Sequence, residues 1–166
     1  MPHTQLLTSE QDTLELARLC SQALLSSLTK DDTLVWYLQA DLGMGKTFFV
    51  RGLLAGLGWQ AAVKSPTYTL VESYDLGEWR LHHLDLYRLA EAEELEYLGI
   101  RDLCAESPAV IMLEWPDKGA GFVPEADLVM SLEAQAADRL VTLAANTARG
   151  QGIVDHLQRL IHARSQ

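Results

Sequence analysis

The chain has 166 residues, is 48% apolar and carries a formal net charge of −10, which suits one globular domain with a real core and argues against wrapping a nucleic-acid backbone unaided. No stretch approaches the roughly 20 apolar residues of a membrane helix, no basic leader pattern opens the chain, and Cys20 and Cys104 have neither metal-ligand spacing nor further thiols for a disulfide framework. The expectation is a single domain over residues 1–166, in the reducing cytoplasm, with any work near RNA routed through a protein partner.

Taken in chain order, Ser9, Glu10, Gln11 and Asp12 offer N-cap residues, and Leu14, Leu16, Ala17, Leu19, Leu24, Leu25 and Leu28 recur at helical spacing. This predicts an amphipathic helix that ends near Lys30, Asp31 and Asp32. Residues 34–38 read as an apolar strand and residues 48–57 as a helix closing at Gly56 and Gly58. Residues 67–74 and 79–86, with Asp75, Leu76, Gly77 and Glu78 between them, fit a β-hairpin. An acidic helix is predicted over 90–98, a short buried strand over 109–113, a strand pair over 127–133 and 139–145, and a closing amphipathic helix over 152–163. The alternation gives the α/β class, as a three-layer sandwich around a central mixed sheet.

Between the first strand and the second helix lies Ala40-Asp41-Leu42-Gly43-Met44-Gly45-Lys46-Thr47. In a strand-loop-helix unit, small residues let successive backbone N–H groups curl around phosphates, the lysine reaches the outer oxygens and the threonine hydroxyl ligates Mg²⁺. The start of the helix adds its positive end to the same anion site. The full pattern asks for glycine where Ala40 stands, a mild departure because alanine is small but takes positive φ less freely.

Such a site needs a further acidic group, and two candidates follow strand-like sequence. Glu114 ends the apolar run 109–113, which would deliver a carboxylate to the sheet edge where phosphates bind. Asp85 lies in His82-His83-Leu84-Asp85-Leu86-Tyr87-Arg88, where Arg88 could simply pair with it. Spacing leaves open which carboxylate holds the metal. Ser65, Pro66 and Thr67 follow the loop's helix, where a hydroxyl could be presented to the ligand, although a turn into a strand is the plainer reading. His82 and His83 must face opposite sides of an extended segment, so at most one faces the site. The sequence offers no nucleophile–base pair, and the chemistry implied is phosphoryl transfer to water or to an acceptor.

These motifs, with Lys64-Ser65-Pro66-Thr67-Tyr68-Thr69, Leu98-Gly99-Ile100-Arg101-Asp102 and Leu113-Glu114-Trp115-Pro116-Asp117-Lys118-Gly119, stand in an order that resembles the TsaE (YjeE) family over nearly the whole chain. That family comprises bacterial P-loop ATPases required for threonylcarbamoylation of adenosine 37 in tRNAs reading ANN codons. The resemblance implies a P-loop NTPase-like fold, ATP and Mg²⁺ as ligands, and docking on a TsaD–TsaB pair that turnover resets. It implies that Leu42, Gly43, Met44, Gly45, Lys46 and Thr47 cradle the phosphates, with Thr47 and Glu114 on Mg²⁺. Asp85 would bear on the attacking water near the terminal phosphate, Thr67 would sit in a switch-like loop, and Glu10 would approach the base. Trp115 is implied as a reporter or interface residue, and Arg139 as a residue that could reach the nucleotide. A small-molecule kinase would use the same loop but needs arginines in a lid, whereas residues 88–101 are acidic; a nucleotide-gated adaptor without turnover is the other alternative.

Overall fold

The computed structural model describes every residue of the chain except residue 42. Its strands are β1 (His3–Leu7), β2 (Thr33–Ala40), β3 (Val71–Asp75), β4 (Arg80–Asp85), β5 (Ala109–Glu114), β6 (Leu128–Gln135) and β7 (Asp138–Ala145). Its helices are α1 (Glu10–Ser27), α2 (Lys46–Gly56), α3 (Glu94–Tyr97), α4 (Ile100–Ala105) and α5 (Ala148–Arg164). The strands form one seven-stranded sheet in the order β1-β7-β6-β2-β5-β4-β3. β2 pairs in parallel with both β5 and β6, and β4 with β5, while β1, β7 and β3 join antiparallel. The mixed α/β sheet expected from the sequence is therefore observed.

Alternation along the central strands builds two cores and, at their ends, the candidate site. Leu34, Trp36 and Leu38 of β2, Val110 and Met112 of β5 and Leu81 of β4 pack against apolar residues of α1, α2 and α5. Val35, Ile111, Leu113 and Leu84 turn to the other face and meet Leu95 and Ile100 of α3 and α4. Continuing the first parity puts His83 and Asp85 of β4 and Glu114 of β5 on the α2 side, at the carboxyl ends of parallel strands. Ligands of open α/β sheets bind at that edge.

Helix α2 sits close on α1 because small residues meet there. A Cβ on Gly56 would lie 2.2 Å from Ser21 Oγ, and one on Gly52 would lie 3.0 Å from Ala17 Cβ. Ser21 Oγ donates to Ala17 O at 2.8 Å and to Leu53 O at 3.2 Å, so the hydroxyl is satisfied within the contact.

Asp127 fastens β2 to the start of α5. Its Oδ2 accepts the Val35 N–H at 2.8 Å, its Oδ1 accepts the Thr147 hydroxyl at 2.7 Å, and the residue is buried. Asp127→Ala leaves a buried N–H and the N-cap hydroxyl without their acceptor, which is expected to destabilise the chain by about 2–3 kcal/mol. A urea midpoint unchanged from the parent would refute it.

Several boundaries differ from the sequence expectation for local reasons. Strand β1 has no counterpart in the predicted elements; it is short and half polar, and its hydrogen-bonded neighbour in the sheet is β7. Helix α1 stops at Ser27 because Asp32 Oδ2 captures the Thr29 N–H at 2.8 Å and forms a competing turn. The hairpin begins at Val71, not Thr67, since Leu70 N donates to Pro66 O at 2.8 Å and Leu70 takes φ +68°. The acidic segment 90–98 is helical only in α3, and Gly99 at φ +76° separates it from α4. Helix α5 begins four residues before the predicted start at Gly152, capped by the Thr147 hydroxyl, which accepts the Gly150 N–H at 3.1 Å. No helix among the described residues is long and apolar enough to cross a membrane.

Candidate nucleotide site

Between β2 and α2 the chain turns tightly, with Gly43 at φ +80° and Gly45 at φ +97°, values that favour glycine. Gly45 caps α2 without a side-chain acceptor, so first-turn N–H groups stay open toward the loop. Ala40, where the full loop pattern asks for glycine, ends β2 as extended backbone, a conformation alanine adopts freely. Leu42 lies outside the described residues.

Lys46 opens α2 and is only 7% exposed. Its Nζ donates to Ala40 O at 2.9 Å, lies 3.5 Å from Glu114 Oε1 and stands 4.5 Å above the Trp115 ring. Glu114, also buried, binds His83 Nε2 through Oε2 at 2.5 Å. Asp85 is the register partner of Glu114 on the adjacent strand, which brings the two predicted carboxylates side by side. Thr47 is on the first turn of α2 beside Lys46.

The loop before β3 grips Asp85 by backbone and side chain. Asp85 N donates to Leu70 O at 3.0 Å, Thr67 Oγ1 reaches Asp85 Oδ2 at a long 3.4 Å, and Ser65 Oγ lies 2.7 Å from Thr67 Oγ1. Asp85 Oδ1 also accepts the Tyr87 N–H at 3.0 Å. Arg88 does not take the expected place beside Asp85. Its guanidinium stacks 4.5 Å from the Tyr68 ring, out on the exposed surface of that loop.

Burial pushes the Asp85 carboxyl above the ordinary aspartate range, against the Tyr87 N–H that favours its charge; Glu114 adds repulsion and Lys46 offsets part of it. The folded chain thus holds this proton more readily than the unfolded chain. The stability that the protonated carboxyl allows is complete below the unfolded aspartate pKa and is lost as pH rises through the folded one, so the ionised group weighs against folding at neutral pH. Asp85→Asn is expected to raise Tm at neutral pH by a few degrees, about 0.5–1 kcal/mol, with the gain vanishing below about pH 3.5. Differential scanning fluorimetry at both pH values checks this, and a lower Tm at neutral pH would contradict it.

Two clefts flank the loop. One, of about 450 Å³, is lined by Ala40, Asp41, Met44, Trp115, Asp117 and Glu133 at the carboxyl ends of β2, β5 and β6. The other, of about 180 Å³, lies at the N-terminus of α1 and includes Thr8, Glu10 and Arg139. Arg139 links the second cleft to the loop, donating from Nη2 to Gly43 O at 3.3 Å and lying 2.9 Å from a Cβ placed on Gly45. Glu10 thus stands across Arg139 from the loop, apart from the Lys46–Glu114–Asp85 cluster.

Of the two side chains that hold Glu114, the sequence singles out Lys46 but does not choose between His82 and His83, and it does not foresee that Trp115 packs against Lys46. The parity shared by His83 and Asp85 was the available signal for choosing His83. Trp115 takes φ +57°, uncommon for a bulky side chain, which turns its ring under Lys46 and against Tyr87 at 5.1 Å between centroids.

A glycine turn between a parallel strand and a helix, a buried lysine at the helix start and a carboxylate at the neighbouring strand end define a P-loop-type α/β protein. The family model described as "Threonylcarbamoyl adenosine biosynthesis protein TsaE" matches residues 7–141, and the chain belongs to the TsaE family. It is 42% identical over 151 residues to the tRNA threonylcarbamoyladenosine biosynthesis protein TsaE of Haemophilus influenzae, covering 91% of this chain and 94% of that protein. The protein of the same name from Rickettsia conorii is 31% identical over 157 residues, covering 92% and 85%. Among solved structures, Bacillus subtilis YdiB superposes with a TM-score of 0.77 at 25% identity, covering 96% of this chain and 95% of that one.

Proposed function

We propose that this chain is a Mg²⁺-dependent ATPase that supports threonylcarbamoylation of adenosine 37 in tRNAs reading ANN codons, by nucleotide-dependent docking on, and resetting of, a TsaD–TsaB pair. The observation that carries the ATPase reading is the convergence of Lys46, Glu114 and Asp85 at the open start of α2. The family membership carries the pathway.

The residues present fit a nucleoside triphosphate with its metal. Helix α2 presents first-turn N–H groups uncapped by any side chain, and Lys46 is a buried cation beside them. Gly43, Met44, Gly45, Lys46 and Thr47 would hold the phosphates, and Thr47 with Glu114 would hold Mg²⁺. Magnesium, when bound, neutralises charge on the outer phosphate oxygens. Asp85 would orient the attacking water and accept its proton, with Thr67 beside it and Glu10 toward the base. The burial that raises the Asp85 pKa also makes it a better proton acceptor.

The net charge of −10 favours tRNA contact through partners over direct binding. Turnover by the isolated chain should be slow, since switch NTPases commonly wait for a partner to complete the site. Phosphate release measured with ATP and Mg²⁺, alone and with added TsaD and TsaB, tests the proposal. Acceleration by the pair supports it; phosphorylation of a metabolite together with failure to bind the pair would overturn it.

A further inference from the structure

His82 and His83 are both fully buried, on opposite faces of β4, and their hydrogen bonding differs. Both nitrogens of His82 have partners: Nδ1 lies 2.7 Å from Ser73 Oγ, and Nε2 lies 2.7 Å from Glu106 Oε2. His83 has a partner on Nε2 alone, the Glu114 carboxylate at 2.5 Å, and its Nδ1 is buried without one among the described residues. With the proton on Nε2, Nδ1 is an unsatisfied acceptor, a feature that is costly when buried. The next side chain toward the strand's start on the same face is Leu81, which is fully buried in the apolar core and carries no such penalty. An imidazole in this place is therefore explained by what its Nε2–H does.

What it does is fix a carboxylate. The His83 contact occupies Glu114 Oε2 and leaves Oε1 directed at Lys46, 3.5 Å from Nζ. A glutamate with three side-chain torsions, set at a strand end, is otherwise free to choose among rotamers. Short hydrogen bonds from a buried donor restrict that choice and decide which oxygen faces the ligand.

We propose that His83 is a positioning residue of the nucleotide site: by holding Glu114 Oε2, it presents Oε1 as the single oxygen offered to Lys46 and to magnesium. The inference rests on the reading that Glu114 takes part in holding Mg²⁺. His83 acts through Glu114, so its removal shows in the contribution of the metal to nucleotide binding rather than in nucleotide binding itself.

The experiment is calorimetric titration of ATP into the full chain, once with Mg²⁺ and once with EDTA, for the parent, Glu114→Gln, His83→Leu and His83→Gln. The parent is expected to bind ATP more tightly with Mg²⁺, and His83→Leu to lose about tenfold or more of that metal-dependent gain while its affinity in EDTA stays within about twofold. His83→Gln, whose amide N–H reaches the place of Nε2, is expected to restore most of the gain. A histidine that only fills space would shift Tm and leave the metal-dependent gain intact in every His83 variant. Should His83→Leu fail to fold, His83→Asn makes the same comparison, because its amide matches Nδ1 and stops short of Glu114. If Glu114→Gln loses the gain and the leucine or asparagine variant keeps it, the His83 proposal is overturned and the Glu114 reading stands. If Glu114→Gln keeps it too, both fall.

Discussion

Lys46→Ala is expected to weaken ATP binding by roughly a hundredfold or more, about 3 kcal/mol, the size of loss seen when one partner of a buried charge-assisted contact is truncated. Lys46 is the cation at the start of α2, its stem packed at 7% exposure and its Nζ held by a backbone carbonyl and a carboxylate. Truncation removes the cation and also leaves Glu114 buried with His83 as its remaining side-chain partner. Lys46→Met separates the two effects, since it keeps the apolar stem and removes only the charge. Titration calorimetry should show the same loss for both variants, with thermal melts confirming that each is folded. ATP binding at parental strength by folded Lys46→Met would mean that the phosphates do not sit at this loop.

The second large effect should appear in turnover. Glu114→Gln and Asp85→Ala are each expected to lower ATP hydrolysis by about a hundredfold, while nucleotide affinity with Mg²⁺ changes by far less. The two carboxylates occupy opposed register positions on β4 and β5 but differ in surroundings. Glu114 is held between an imidazole and an ammonium, which suits a fixed ligand. Asp85 is desolvated and its hydrogen-bond donors, the Tyr87 N–H and the Thr67 hydroxyl, are neutral, which suits a group that receives a proton. Phosphate-release assays under saturating ATP, run with TsaD and TsaB present, measure the effect. Parental turnover in either variant would remove that carboxylate from the proposed chemistry.

Much of this arrangement was legible from residue patterns, because period and punctuation agree along the central strands. Residues 34–38 and 109–113 are apolar on both faces, as strands covered by helices on each side must be. Gly43 and Gly45 mark the turn that only positive φ can make. What escaped detection depends on tertiary neighbours. Strand β1 is ordered by pairing with β7, almost the whole chain away in sequence. Alternation places one of His82 and His83 on the site face, and parity with Asp85 selects His83, but the Glu114 that its Nε2 meets lies 31 residues further on. Arg88 looked like an ion-pair partner for Asp85, yet the chain leaves β4 immediately after Asp85 and carries Arg88 to Tyr68 instead. Arg139 enters from the far side of the sheet, through β7, and nothing local in its sequence announces the Gly43 carbonyl it meets.

Under the proposed reading, the resting partners of Lys46 compete with the nucleotide for its ammonium. Any phosphate that recruits this ammonium has to win it from Glu114 Oε1 and the Ala40 carbonyl, so the measured dissociation constant is the intrinsic one divided by the fraction of molecules with Lys46 released. Under the proposed cycle the same rivalry gives the site a direction, because loss of the terminal phosphate returns Lys46 to Glu114 and so favours release of the product over rebinding.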